Sequence, residues 1–276
     1  MEKTYFEKTI KHYVHSSPEN RVKKEVALRP DLEGMRIFDE PLFGYAAADD
    51  PYFNEAKRPE IIGAHFMTPD EWLAGAKTVV ALFLPFTAQV RGANRLDKAW
   101  PAVEWLHARI EGQAFQDEIC RFVKGLLEKE SFAALSPMLD SRFNRISPTV
   151  DDKTKNAHYA SNWSERHAAY ATGLGTFGLS KGLITRKGVA GRYLSVITTA
   201  SLAPNERPYK GVYDYCSNCG LCISTCPVEA ISLEQGKLHY PCSVYIETVK
   251  GKHAPYFGCG KCQVNVPCED KAPAGN

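Results

Sequence analysis

Four cysteines stand in one short run, Cys216-Ser217-Asn218-Cys219-Gly220-Leu221-Cys222-Ile223-Ser224-Thr225-Cys226-Pro227. Three thiolates separated by two residues each can curl round one corner of a 4Fe–4S cube. The proline then turns the fourth away, toward a neighbouring cube. Zinc is the alternative for clustered thiols, but it is usually held by two separated Cys pairs or by Cys and His pairs. Cys242, Cys259, Cys262 and Cys268 follow downstream and bring the grouped thiols to eight, the requirement of two cubes. In the crossed arrangement Cys216, Cys219, Cys222 and Cys268 hold one cube. Cys226, Cys242, Cys259 and Cys262 hold the other. The motif fixes the count more firmly than the partition of Cys242 and Cys268. The ninth cysteine, Cys120, stands in a stretch of helical periodicity and is expected to be a small buried apolar residue.

A second informative stretch precedes the thiols. Asn162-Trp163-Ser164-Glu165 reads as a helix start with Asn162 as cap, and about three turns of helix should follow. Gly173-Leu174-Gly175-Thr176-Phe177-Gly178 then spells GxGxxG. A dinucleotide site needs a strand before that pattern and a helix after it. Here the helix comes first, so the pattern reads as a turn bringing backbone close to something bulky, or as tight helix–strand packing.

The elements that must position these residues follow from composition and periodicity. With 276 residues, 44% of them hydrophobic, the chain can bury a real core in one large or two ordinary domains. A formal net charge of +2 gives no support for a nucleic-acid surface. The charged start Met1-Glu2-Lys3 is no signal sequence, and no twin-arginine signal is present. Grouped thiols suit a reducing compartment, so a cytoplasmic protein with no membrane and no nucleic acid as partner is expected. The longest apolar run, residues 78–86, is too short to span a bilayer and reads as a buried strand. Phe6, Ile10 and Val14 mark an amphipathic N-terminal helix, and Thr68-Pro69-Asp70-Glu71 marks a helix start. Residues 101–128 read as a long helix, divisible at Gly112, and residues 131–137 as a strand. Residues 183–186 and 192–199 flank a glycine turn and read as a hairpin. Pro204 and Pro208 bracket a linker, which puts the boundary between a domain of residues 1–205 and one of residues 206–276. Pro227-Val228-Glu229-Ala230-Ile231 reads as a short helix and Gln235-Gly236 as the turn of a small hairpin.

With these residues quoted, the chain resembles the epoxyqueuosine reductase and reductive dehalogenase superfamily, and within it the short two-cluster iron–sulfur proteins. Glu165-Arg166, the Ala-rich helix, Gly173-Leu174-Gly175, Phe177-Gly178 and Leu183-Ile184 look like the segment that lines the corrinoid. Cys216 to Cys226, Cys242, and Gly258-Cys259-Gly260-Lys261-Cys262-Gln263 look like the two-cluster domain. The resemblance implies an α+β fold, with a nitroreductase-like corrinoid-binding core followed by a bacterial-ferredoxin-like domain. It implies base-off cobalamin and two 4Fe–4S clusters feeding electrons to cobalt. It makes Glu165, Arg166, Gly173, Gly175, Gly178, Lys181 and Arg186 the expected cofactor contacts. Counting back from Glu165 to where the reductase has its acid reaches Tyr159 beside His158, the expected proton donors. The polar run 151–156 before them could cover a substrate. The chain ends eight residues after Cys268, where longer reductases continue into a tRNA-binding tail. The resemblance therefore implies reduction of a small-molecule substrate rather than tRNA chemistry, with reduced ferredoxin or flavodoxin as donor. Two other classes compete: an electron-transfer protein without cobalamin, and a redox or cobalamin sensor.

Overall fold

Residues 2–150 and 157–273 are described by a computed structural model, with the side chains of residues 147–150, 157 and 158 left out. The run 151–156, expected to lie over a substrate, falls outside the described residues.

The fold is organised on Thr78–Pro85 (β2), every residue of which is buried. Leu42–Ala47 (β1) pairs with it antiparallel on one side, and Gly191–Thr198 (β8) on the other. The two-residue strand Ala134–Leu135 (β3) closes the far edge, giving the order β1-β2-β8-β3. Successive side chains of β2 point to opposite faces. Val80, Leu82 and Leu84 join a cluster with Phe6, Ile10, Phe115 and Ile119, and Val79, Ala81 and Phe83 face Ala168 and Ala169. Burial on both faces explains why β2 reads as an unbroken apolar run instead of an alternating one.

Helices Lys3–Ser16 (α1) and Val103–Lys129 (α5) supply the first face. Phe6, Ile10 and Val14 are the buried stripe of α1, as the periodicity requires, and Tyr13 stacks on Phe122 at 3.9 Å. α5 is one helix of 27 residues, undivided at Gly112. A side chain at that position would crowd Phe38, which a Cβ would meet at 3.0 Å, so the glycine serves packing and breaks nothing. Pro51–Glu55 (α2), Pro69–Trp72 (α3) and Ala88–Leu96 (α4) are short connectors. In α3, Glu71 accepts the Thr68 backbone N–H at 2.6 Å, the expected reciprocal cap.

The other face is covered by Glu165–Ala171 (α6), seven residues preceded by Ser164 and not capped by Asn162. The Asn162 amide instead donates to Arg142 O at 2.8 Å and accepts from Asn144 N at 2.9 Å, tying down the hairpin of Arg145–Val150 (β4) and Ala157–Ser161 (β5). Gly175–Phe177 (β6) pairs with Leu183–Thr185 (β7). The hairpin expected between β7 and β8 is therefore not formed. β7 turns back on β6, and β8 enters the central sheet, where β2 offers it eight registered partners.

Beyond residue 205 the elements are short: Leu221–Ser224 (α7), then the small hairpin Ile231–Ser232 (β9) with Gly236–Lys237 (β10), as expected, then His239–His253 (α8). Residues 227–231 form a turn leading into β9 and not a helix, with Glu229 at φ +49. Val249 and Tyr256 pack on Leu106 of α5, and Val264 joins the main core. No helix among the described residues is long and apolar enough to cross a membrane.

Candidate active site

The eight grouped thiols rim two cavities. Cys226, Cys242, Cys259 and Cys262 line one of about 190 Å³, and Cys216, Cys219, Cys222 and Cys268 line a narrower one of about 20 Å³. The two linings coincide with the crossed sets that the motif leads one to expect. Local backbone does much of the placing. Gly220 at φ +73 opens the single turn of α7 and carries Cys222 inward. The Cys226 thiol accepts from Ala230 N at 3.3 Å. Among the described residues no three His, Cys, Asp or Glu side chains converge on a single metal ion.

A third cavity, about 380 Å³, lies between α5, α6 and β8 and shares Gly191, Arg192 and Gln263 with the wider thiol cavity. One wall is a polar stripe on α5 made of Gln113, Gln116, Asp117 and Cys120. Their spacing of three and four residues puts them on one helix face. Gln113 and Gln116 hold Arg192 by their side-chain oxygens, the second at 3.1 Å from Nε. Gln116 in turn donates to the Tyr193 carbonyl. Burial, then the nearby Arg109, pushes the Arg192 guanidinium down to about 9, with Arg166 and Arg145 acting in the same direction. Arg192 therefore remains a cation at neutral pH. Burial raises Tyr193 well above its ordinary value, and its hydroxyl is engaged with Leu183 O at 2.6 Å.

Glu165, with Gln263, carries the buried polar atoms of this cavity that lack a well-formed hydrogen bond. Both carboxyl oxygens are shielded and make no hydrogen bond of ordinary geometry; burial pushes the group up to about 8, against the opposing pull of Ser195 and Trp163. Trp163 Nε1 donates to Ser195 Oγ at 2.9 Å, which leaves the Ser195 O–H as the donor nearest the carboxyl. Burial thus favours the protonated carboxyl form of Glu165 on the wall of this cavity. His167 is pushed down to about 4 by burial and by Arg166, so its ring, bonded to Ser164 Oγ at 2.8 Å, is neutral. Cys120 is buried as expected, and burial lifts its thiol to about 12.

Of the residues expected to touch a cofactor, Glu165 and Arg166 line this cavity. Lys181 adjoins it only through its carbonyl, which accepts Arg166 Nη1 at 2.5 Å. Gly178 lines the narrower thiol cavity instead. Gly175 sits inside the β6–β7 pair, where a Cβ would lie 1.9 Å from Ile184 O, so its role is strand packing. Gly173 forms the turn after α6, and Arg186 is exposed on the far turn. Neither lines a cavity described here. Tyr159 is also absent from the cavity: its ring is 50% exposed and packs edge-on against His239. His158 lies in β5 opposite Thr149, and its side chain is outside the described residues. Sequence reasoning passed over Arg192, Gln263 and the α5 stripe. Only the stripe left a signal, polar residues recurring at helical spacing within an apolar helix.

Comparison with known proteins bears on this arrangement. Residues 209–232 match the 4Fe-4S binding domain family. Over 80 residues the chain is 31% identical to the trichloroethene reductive dehalogenase of Dehalococcoides mccartyi, covering 29% of this chain and 14% of that protein. An epoxyqueuosine reductase solved with an epoxyqueuosine-modified tRNA stem loop superposes at TM-score 0.53 and 17% identity, covering 96% of this chain and 66% of that one. A catabolic reductive dehalogenase superposes at 0.54 and 16% identity, covering 84% of this chain and 30% of that one. The chain is thus shorter than each of these relatives. The reductase bound to a tRNA stem loop overturns the expectation, drawn from net charge, that nucleic acid is excluded as a partner. Overall charge does not report a local nucleic-acid surface. The chain shares the fold of these epoxyqueuosine reductase and reductive dehalogenase structures, and within it residues 209–232 are similar to the 4Fe-4S binding domain family.

Proposed function

We propose that the chain is an iron–sulfur oxidoreductase in which two 4Fe–4S clusters deliver electrons to a cobalamin at the third cavity. The observation that carries this reading is the wall shared by the thiol cavity and the cavity holding Glu165, made of Gly191, Arg192 and Gln263. The donor sets fit both groups. Each thiol cavity offers four cysteines, the full ligand set of one cube. The third cavity offers buried polar atoms that lack a well-formed hydrogen bond, Gln263 Oε1 and both Glu165 oxygens, which an amide-fringed macrocycle would satisfy. Its volume is at the lower end for ligand sites, so it takes the reacting edge of such a ring and its substrate. On this reading residues 1–205 form a nitroreductase-like corrinoid- and substrate-binding part, and residues 206–276 the two-cluster part.

When bound, low-valent cobalt would supply the electrons that reduce a carbon–halogen or epoxide carbon–oxygen bond. The protein's own residues do the rest. Trp163, Leu183 and Leu194 wall the site in apolar surface. Arg192, fixed by two glutamines, presents a positive charge toward a leaving anion. Glu165 holds a proton on its carboxyl at neutral pH for the reduced carbon. That role was expected of Tyr159 or His158; Tyr159 lies off the cavity, the His158 side chain is outside the described residues, and we assign the role to Glu165, which lines the cavity.

The reading is tested by reconstituting the clusters anaerobically, adding micromolar hydroxocobalamin and passing the mixture over a desalting column. About one cobalamin should be retained per chain, with the spectrum of the base-off form. Full clusters with no retained cobalamin would leave the electron-transfer reading in its place.

A further inference from the structure

The two thiol cavities differ in charge. The one lined by Cys226, Cys242, Cys259 and Cys262 is also lined by Arg109, Arg192, Lys237 and Lys261, and by no carboxylate. The one lined by Cys216, Cys219, Cys222 and Cys268 has no Lys, Arg, His, Asp or Glu among its described lining residues. A cube held by four thiolates is already negative, and its reduction adds one more charge. Nearby fixed cations stabilise the reduced state and so ease reduction.

The four cations do not contribute alike. The Lys261 ammonium is turned away, donating to Asn94 O at 2.7 Å and Asp97 O at 2.6 Å. Arg192 is shared with the third cavity. Lys237, on β10, lines the cavity together with Cys242 and Cys262. Arg109 projects from α5 with its guanidinium 4.7 Å from the Phe257 ring centroid, and burial and Arg145, with no carboxylate, set its electrostatics. The Ala230 N–H donated to Cys226 acts in the same direction. Exposure opposes it, since Cys219 is exposed and water also stabilises a reduced cube. The other three thiols of that set are only partly exposed, like all four of the second set, so the charge difference dominates.

Building on the two-cluster reading above, we infer that Lys237 and Arg109 are tuning residues that make the cube of Cys226, Cys242, Cys259 and Cys262 the more easily reduced of the two. One electron leaving the cube of Cys216, Cys219, Cys222 and Cys268 then reduces this cube, which adjoins the third cavity. The first cube is refilled by an external low-potential one-electron donor. The charges thus give the chain a direction of electron flow, from the narrower thiol cavity to the wider one.

The test is a potentiometric titration of the reconstituted full chain without cobalamin, followed by electron paramagnetic resonance. Iron content is measured first, so that a failure of the two-cluster reading shows as fewer than about eight irons and overturns both proposals. With eight irons present, wild type should show two one-electron steps. Lys237→Met should lower the higher step only, cutting the reduced-to-oxidised ratio of that cube by about tenfold at a given potential, the scale of one partly screened charge. Lys237→Arg should restore it. Arg109→Met should act in the same direction, and it decides the matter if Lys237→Met fails to assemble. Coincident steps in wild type, a shift of the lower step instead, or no shift in either variant would overturn the inference while leaving the two-cluster reading intact.

Discussion

Glu165→Gln is expected to retain both clusters and cobalamin while lowering turnover by a factor on the order of 100 or more, the scale of losing a positioned general acid. The substitution preserves shape and replaces the acidic O–H by an amide N–H that cannot be transferred at ordinary pH. Wild-type kcat/KM should be level below pH about 8 and fall above it, because burial pushes the Glu165 carboxyl up to that value. The variant should lose this limb of the profile. Stability carries the same signature. A carboxyl raised from 4.5 to about 8 favours the fold fully below 4.5, and that contribution is lost as pH rises through 8. Wild type should therefore lose stability relative to Glu165→Gln over that window, measured as the difference in Tm between the two proteins. An unchanged rate and an unchanged pH profile in the variant would remove Glu165 from the chemistry.

Gly260→Ala is expected to cost roughly 2–5 kcal/mol and the iron of one cube. Gly260 stands between Cys259 and Lys261 with φ +67, a conformation that costs a residue bearing a Cβ roughly 1–2 kcal/mol. The added Cβ would also lie 1.9 Å from Trp105 Cζ2, within the indole ring. Trp105 cannot yield easily, because it is 4% exposed and packs edge-on against Phe86 at 4.8 Å. Overpacking of this kind adds roughly 1–3 kcal/mol. The strain falls between two ligands of one cube, so cluster assembly and folding fail together. Iron near four per chain and a Tm lower by roughly 5–15 °C are the expected readings. Full iron at an unchanged Tm would show that Trp105 does not fix the loop.

The parts of this molecule legible in the sequence are those whose constraints are local. The first thiol run is one, because a cluster corner is built by residues two apart. β2 is another, because burial on both faces leaves an unbroken apolar run. α1 shows its stripe for the same reason. Pairing was not legible. β7 and β8 both have strand character, but strand character does not choose a partner, and the long register offered by β2 outcompetes a local hairpin. Asn162 had the chemistry of a helix cap, yet it is used to bind Arg142 and Asn144 across space. The reactive cavity was the least legible part. Its walls come from α5, α6, β4, β5, β7, β8 and the turn of Gln263, segments brought together only by the fold. Glu165 was identified through its Glu-Arg pair, but the burial that raises its carboxyl exists only in three dimensions.

The central claim is that eight thiols hold two cubes, one of them against the cavity of Glu165. The most direct measurement is the iron, acid-labile sulfide and zinc content of protein purified without oxygen. The account requires about eight irons and eight sulfides per chain and no stoichiometric zinc. About four irons, or one zinc per chain, would contradict it.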